Sequence, residues 1–352
     1  MNRRTALTAT ALTAALLLAS CASGPADPGA TGTTGTTDAP DASAPLVVGL
    51  TYTPDVQFAP FYAGVEEGLF EAEGVTVELR HHGASESLFG ALQAGDEDVV
   101  FAGGDEMVQA RSQGVDIVNV ATLYQEHPVV LIVPADSPIR TGADLAGHSV
   151  GIPGPYGETY FGLLALLRDA GLTEADVDVQ HIGYTQQSAL QTGAVDAVMG
   201  YVNNDAVQLS EAGFTVRSIP MVAAGDAPLI GIGLGASEAT VEDRAADLAA
   251  VLRALRVVID GPGQDPDTIV ELSRPHVPGL ADPTAAAKAR ATWAATLPLF
   301  TAGGAAVGAQ HPEQWEAQSQ FMLDAGLVAT AVPAAQAYTT AIVDAVDAAA
   351  AG

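Results

Sequence analysis

The stretch Ala91-Leu92-Gln93-Ala94-Gly95-Asp96-Glu97-Asp98-Val99-Val100-Phe101 recurs 98 residues later as Ala189-Leu190-Gln191-Thr192-Gly193-Ala194-Val195-Asp196-Ala197-Val198-Met199, with six of eleven positions identical. Each copy reads as a helix end, a glycine stop and an aspartate that leads into an apolar strand. A helix-turn-strand unit that occurs twice at this distance predicts two similar α/β lobes.

Working outward, the first copy follows a β-loop-α-β unit. An apolar strand ends at Thr51, a polar and aromatic loop follows, a helix opens near Pro60, and Gly74 closes it before a second strand at 76–80. Further strands are expected at 98–102, 116–123 and 129–133. The second copy sits in its own run of strand 149–152, helix 156–167, strand 177–182, helix 186–191 and strand 197–201. The segments 129–133 and 228–235 read as the crossings between lobes, which puts lobe 1 at 46–133 plus 234–352 and lobe 2 at 134–233. From Ala239 onward the pattern is helical, at 239–260, 266–273, 283–297, 312–325 and 333–350, and these helices are expected to pack on lobe 1.

Net charge is −29, with 13 Lys+Arg against 42 Asp+Glu, a balance that repels phosphate backbones and excludes nucleic-acid binding. Residues 1–20 read as a signal peptide: Arg3 and Arg4 precede a largely apolar run from Ala6 to Ala19 that is too short for a comfortable membrane span. The run ends in Leu18-Ala19-Ser20-Cys21, which resembles the lipobox of bacterial lipoproteins, so Cys21 is the expected lipidation site. Residues 21–45 read as a disordered tether of Gly, Thr, Ala, Pro, Ser and Asp. Together these predict an extracytoplasmic protein anchored to the cell membrane. Cys21 is the single cysteine, which leaves no disulfide, cysteine cluster or thiol nucleophile for the folded part. There is no G-x-S-x-G elbow and no H-E-x-x-H helix, and Pro228 to Gly235 (PLIGIGLG) lacks the spacing of a dinucleotide fingerprint. No cofactor, no metal and no catalytic residue is expected.

Ligand sites of open α/β sheets lie at the carboxyl ends of the strands. The loops there supply Tyr52, Asp55, Gln57, Phe58, Glu86, Asp105, Glu106, Tyr156, Glu158, Tyr184, Tyr201, Asn203 and Asn204 as candidate ligand-binding residues, with Tyr124, Tyr160 and Asp205 beside them. Ser85 or Ser87 is the expected cap of the helix that runs to Gly95, and Asp105 that of the following helix. The candidate loops carry no Lys or Arg. Tyrosines with carboxylates and amides suit a flat, nitrogen-rich ring, which stacks on the phenols and gives its amino protons to the acids. An anion such as a sulfonate stays open as an alternative, because helix N-termini bind anions without charged side chains.

The opening stretch resembles the solute-binding proteins of ABC importers, in the group that handles aliphatic sulfonates, nitrate and thiamine-precursor pyrimidines. The shared pattern is Phe61-Tyr62-Ala63, Gly68, Phe70, Gly74 and Val77, then Leu92, Gly95, Asp98 and Val99, then Ser137-Pro138-Ile139 and Asp144 to Gly151. The resemblance covers about residues 46–237. It implies an α/β, two-lobed periplasmic-binding-protein fold of type II that closes on a ligand by hinge motion. It also implies a small-molecule solute, an ABC permease and its ATPase as partners, and a monomer. A thiamine-precursor pyrimidine is the first expectation for the solute, a taurine-like sulfonate or a flavin-like ring the alternative. Thiamine-pyrimidine synthases of the same fold use a cysteine-rich iron motif, which this chain lacks after Cys21.

Overall fold

The computed structural model describes residues 44–83, 86–222 and 228–351. The expected signal peptide, most of the tether, Cys21 and the Ser85 cap lie outside the described residues.

Among the described residues ten strands form two five-stranded sheets. The first holds β1 (Leu46–Leu50), β2 (Val77–His81), β3 (Val99–Gly103), β4 (Val118–Thr122) and β10 (Ile232–Ala236), in the order β2-β1-β3-β10-β4. The second holds β5 (Val129–Pro134), β6 (Ser149–Ile152), β7 (Asp178–His181), β8 (Ala197–Tyr201) and β9 (Val216–Pro220), in the order β7-β6-β8-β5-β9. The two orders are the same design. Three parallel strands come first, an antiparallel strand is fourth, and the edge strand pairs only with that fourth one.

The repeated stretch does the same work in both lobes. Gly95 and Gly193 end their helices in the left-handed region, with φ of 77° and 69°, which glycine adopts without steric cost. The Asp98 carboxylate then accepts the Val47 N–H at 2.8 Å beside β1, and the Asp196 carboxylate accepts the Ser149 N–H at 2.9 Å beside β6. Each aspartate ties the strand it precedes to its parallel neighbour.

One boundary differs from the sequence expectation. Val129–Pro134 is not a crossing at the end of lobe 1. It lies inside the second sheet, pairing Val129 with Tyr201 on one side and Val130 with Pro220 on the other. Its first five residues are all buried, and an apolar run without alternation fits the interior of either sheet. The chain therefore crosses at 123–128, between β4 and β5, and returns between β9 and β10, and β10 enters the first sheet two residues before the expected point.

The helices are α1 (Ala59–Glu66), α2 (Leu69–Ala72), α3 (Gly90–Ala94), α4 (Gly104–Ser112), α5 (Gly157–Asp169), α6 (Gln186–Gln191), α7 (Asp205–Glu211), α8 (Glu238–Asp243), α9 (Ala245–Asp260), α10 (Pro266–Ser273), α11 (Pro283–Phe300), α12 (Pro312–Asp324), α13 (Ala334–Ala337) and α14 (Ala341–Ala351). Helices α1, α9, α10, α11 and α14 bury their apolar faces on the first sheet, in a core that includes Phe61, Leu252, Ile269, Trp293 and Ile342. Helix α12 also reaches the second lobe: Phe321 and Met322 share a core with Phe161 and Leu163 of α5, and the Arg168 guanidinium stands 5.4 Å over the Phe321 ring. Among the described residues no helix is long and apolar enough to cross a membrane.

Candidate ligand-binding cleft

Two helices begin at the carboxyl end of a strand and bring their first turns together, α4 directly after β3 in the first lobe and α5 after β6 in the second. Asp105 from α4 and Glu158 from α5 are both buried, and buried His127 from the 123–128 crossing stands between them. His127 Nε2 is 3.1 Å from Asp105 Oδ2 and 3.7 Å from Glu158 Oε1. The Tyr201 hydroxyl, at the end of β8, donates to Glu158 Oε2. Glycine at position 103 makes room for this approach, because a Cβ there would stand 2.5 Å from Asp105 Oδ1 and 2.6 Å from Glu158 Oε1. Asp105 is not the helix cap that the sequence predicts. Gly103 holds the cap position, Asp105 Oδ1 takes the Glu106 N–H at 2.8 Å, and Glu106 Oε2 takes the Gly103 N–H at 3.3 Å.

Buried Asp105, Glu158 and His127, with half-buried Glu106 beside them, cannot all keep their ordinary charges. Burial and then Asp105 push the Glu158 carboxyl up to about 7, against the opposing pull of His127 and the Tyr201 hydroxyl. Burial, Glu158 and Asp105 hold Glu106 well above the usual carboxylate range. Burial pulls His127 down, but the hydrogen bond and charge of Asp105, with Glu158 behind, outweigh it and leave the imidazole raised. The Tyr201 hydroxyl is raised by burial and by Glu158.

Asp105, His127 and Glu158 offer three ligand atoms within 4.8 Å of one another, the spacing of a metal site. The histidine argues against that use. The Val129 N–H points at Nδ1 at 3.4 Å, so the ring's hydrogen belongs on Nε2, facing Asp105. A metal on Nε2 would force Nδ1–H against Val129 N–H, and a proton fits this donor set better.

Glu158 gives a stability test. Its carboxyl is raised in the folded state, so the native protein holds a proton that the unfolded chain has already lost between about pH 4.5 and 7. Stability therefore falls as pH rises through that window, and the loss is complete above it. Glu158→Gln is expected to remove this penalty and to exceed the wild type by on the order of 2 kcal/mol at pH 8, with little difference at pH 5. Urea midpoints at both pH values measure it, and equal differences at the two would show that the carboxyl titrates normally.

Above this buried cluster lies an aromatic rim. Tyr52, Tyr156 and Tyr184 are 48%, 52% and 69% exposed, and with Val257 they are the large apolar side chains left in solvent among the described residues. Tyr52 follows β1, Tyr156 precedes α5 and Tyr184 follows β7. The Tyr184 hydroxyl is raised by burial and by the neighbouring Tyr156, with Glu106 and Tyr52 contributing from the other lobe. Burial, then Asp55 and Asp205, raise the Tyr52 hydroxyl. These influences place Tyr52, Tyr156 and Glu106 all near Tyr184.

The other candidate residues have structural partners. Half-buried Asp55 caps the short turn Val56–Phe58 through the Gln57 N–H at 3.1 Å, and Gln57 itself is half-buried. Phe58 is a core residue, 2% exposed, with its ring edge-on to Phe101 and His81. Glu86 bonds Arg80 at 2.5 Å, and that pairing with the Gly83 N–H holds its carboxyl low. Asn203 is buried and donates to Thr296 Oγ1 of α11 at 3.0 Å, a tie between the lobes. Asn204, the residue before α7, accepts from Gln208 of that helix. Tyr124 lies in the core between Phe101 and Phe300, and Tyr160 leans toward Glu174. His127 is the site residue that sequence reasoning misses. Its one signal is a polar residue after β4, at the same carboxyl end as the other cleft loops.

The family model described as NMT1/THI5 like matches residues 55–269. The chain belongs to the NMT1/THI5-like family. Within and around this family, the riboflavin-binding protein RibY of Chloroflexus aurantiacus is 32% identical over 306 residues, covering 85% of this chain and 86% of the relative. The formylaminopyrimidine-binding protein of Halalkalibacterium halodurans is 26% identical over 209 residues, 59% of this chain and 63% of the relative. The crystal structure of the periplasmic aliphatic sulphonate binding protein SsuA from Escherichia coli matches with a TM-score of 0.63 at 20% identity, over 83% of this chain and 92% of that one. That likeness gives the NMT1/THI5-like chain a periplasmic-binding-protein fold.

Proposed function

We propose that this NMT1/THI5-like protein is the extracytoplasmic solute-binding component of an ABC importer, and that its two lobes close on a flat, nitrogen-rich heterocycle. The observation that carries the reading is the set of three exposed tyrosines at the cleft rim, which with Val257 are the exposed large apolar side chains among the described residues. Exposed phenols are suited to stacking on a planar ring, and the carboxylates below them suit ring N–H groups. The two relatives above are named for binding such rings, an isoalloxazine and an aminopyrimidine. RibY matches nearly the whole chain, which makes riboflavin the first probe and a formylaminopyrimidine the second. A sulfonate fits poorly, since an anion in this cleft would meet Glu106, Asp105 and Glu158 with no arginine or lysine paired to any of them among the described residues. Lipidation of Cys21, a monomeric state, and delivery to a permease with its ATPase belong to the same proposal. Binding without turnover is the reading that the residue set favours, since no cysteine follows Cys21.

Titration with riboflavin, a formylaminopyrimidine and an alkanesulfonate, followed by thermal shift and flavin fluorescence, tests it. Either heterocycle should raise the melting temperature in a concentration-dependent way. Tyr52→Ala and Tyr184→Ala should each weaken binding about tenfold, the effect of losing one stacking face, and leave the unliganded melting temperature unchanged. Preference for the sulfonate, or chemical conversion of a bound ring, would overturn the proposal.

A further inference from the structure

We infer that His127 is a positioning residue of this cleft: it fixes Asp105, so that Glu158 is the group that gives up its proton to water when the ligand binds, and the inference rests on the heterocycle reading above. Glu158 is faced by Asp105 and Glu106 from α4, by His127 and Tyr124 from the crossing, and by Tyr201 from β8, while Tyr184 faces Glu106. No arginine or lysine ion pair reaches any of these acids among the described residues. The imidazole lies 3.1 Å from Asp105 and commits its Nε2 hydrogen there, while 3.7 Å to Glu158 is too long for a hydrogen bond.

Of the two Glu158 oxygens, Oε2 receives the Tyr201 hydroxyl, and Oε1 is buried with no hydrogen-bond partner. An unpartnered carboxylate oxygen out of water is costly, and it is relieved either by a proton or by a donor from a ligand. Oε1 therefore holds a proton when the lobes meet without ligand, and accepts a ring N–H when they meet around one. In the exchange the O–H bond of Glu158 breaks, its proton leaves to bulk water, and the ligand keeps its own hydrogen and donates it to the same oxygen. No redox partner or co-reactant is needed.

The test is the affinity for riboflavin and for a formylaminopyrimidine between pH 5.5 and 8.5, measured by calorimetry in two buffers of different ionisation heat. For the wild type, affinity should rise up to tenfold per pH unit in the acid part of the range and level off above it, with close to one proton released per ligand near pH 6. Glu158→Gln should bind with no pH dependence and no proton release. His127→Leu leaves Asp105 without its N–H, so Asp105 also holds a proton, and the rise should move upward by about one pH unit with nearly two protons released per ligand, while His127→Gln, which keeps an N–H for Asp105, should restore one proton and the wild-type window. Uniform weakening of His127→Leu at every pH with one proton still released would reduce the histidine to a structural role and overturn the inference. A flat wild-type profile with either ring bound would overturn it while leaving the heterocycle reading intact. Failure of both rings to bind at any pH would overturn the heterocycle reading, and this inference with it.

Discussion

Gly231→Ala should destabilise the protein by about 3 kcal/mol, as overpacking against an element that cannot move aside. A Cβ at this position would stand 2.2 Å from the Tyr124 carbonyl oxygen and 3.2 Å from that of Glu126. Both atoms are backbone and belong to the other crossing, so no side-chain rotation relieves the contact. The two crossings must part, and the lobes they join must shift with them. Gly233 and Gly235, further along the same PLIGIGLG stretch, are closed in likewise, by the Ala121 carbonyl at 2.5 Å and by Met107 and Ile117 at 2.9 Å. The alternating glycines are thus a packing device between strands and serve no phosphate. A fall in the urea midpoint without a change of slope is the expected measurement, and an unchanged midpoint would show that the crossings slide past each other freely.

Trp293→Ala should cost about 4 kcal/mol. The indole is fully buried in the first core beside Phe300, and its Nε1–H donates to the Gly263 carbonyl at 2.7 Å. Truncation opens a cavity and also strands that carbonyl, two penalties that add. Trp293→Phe keeps most of the ring but not the donor, so it should fall between the two. Chemical denaturation of the three proteins separates cavity from hydrogen bond, and a Phe variant as unstable as the Ala variant would assign the whole effect to the bond.

What the sequence makes legible here is whatever repeats or alternates. The Ala91 and Ala189 stretches predict two lobes because Gly95 with Gly193, and Asp98 with Asp196, must each solve the same local problem of stopping a helix and tying in a strand. The lobe of Val129–Pro134 is not legible, since an all-apolar strand carries no mark of which sheet it enters. In the site, the exposed tyrosines and the two helix-start acids can be named from their loops. Phe58 cannot be told from Tyr52, because an irregular turn has no period to say which aromatic faces the core. Nor does the run of residues show that Arg80 claims Glu86, or that one histidine in a six-residue crossing stands between acids from both lobes.

The shared sheet order sets a timetable for synthesis. In the first sheet β3 and β4 do not touch each other, and both are bonded to β10, which the ribosome releases more than a hundred residues after β4 begins. The second sheet draws all five strands from 129 to 220 without interruption. The lobe that begins second is therefore the first whose sheet can be completed as the polypeptide grows. The nascent N-terminal half waits with an unpaired edge at β4, whose Asn119 and Thr122 later bridge to Tyr338 and Gly308, almost at the end of the chain.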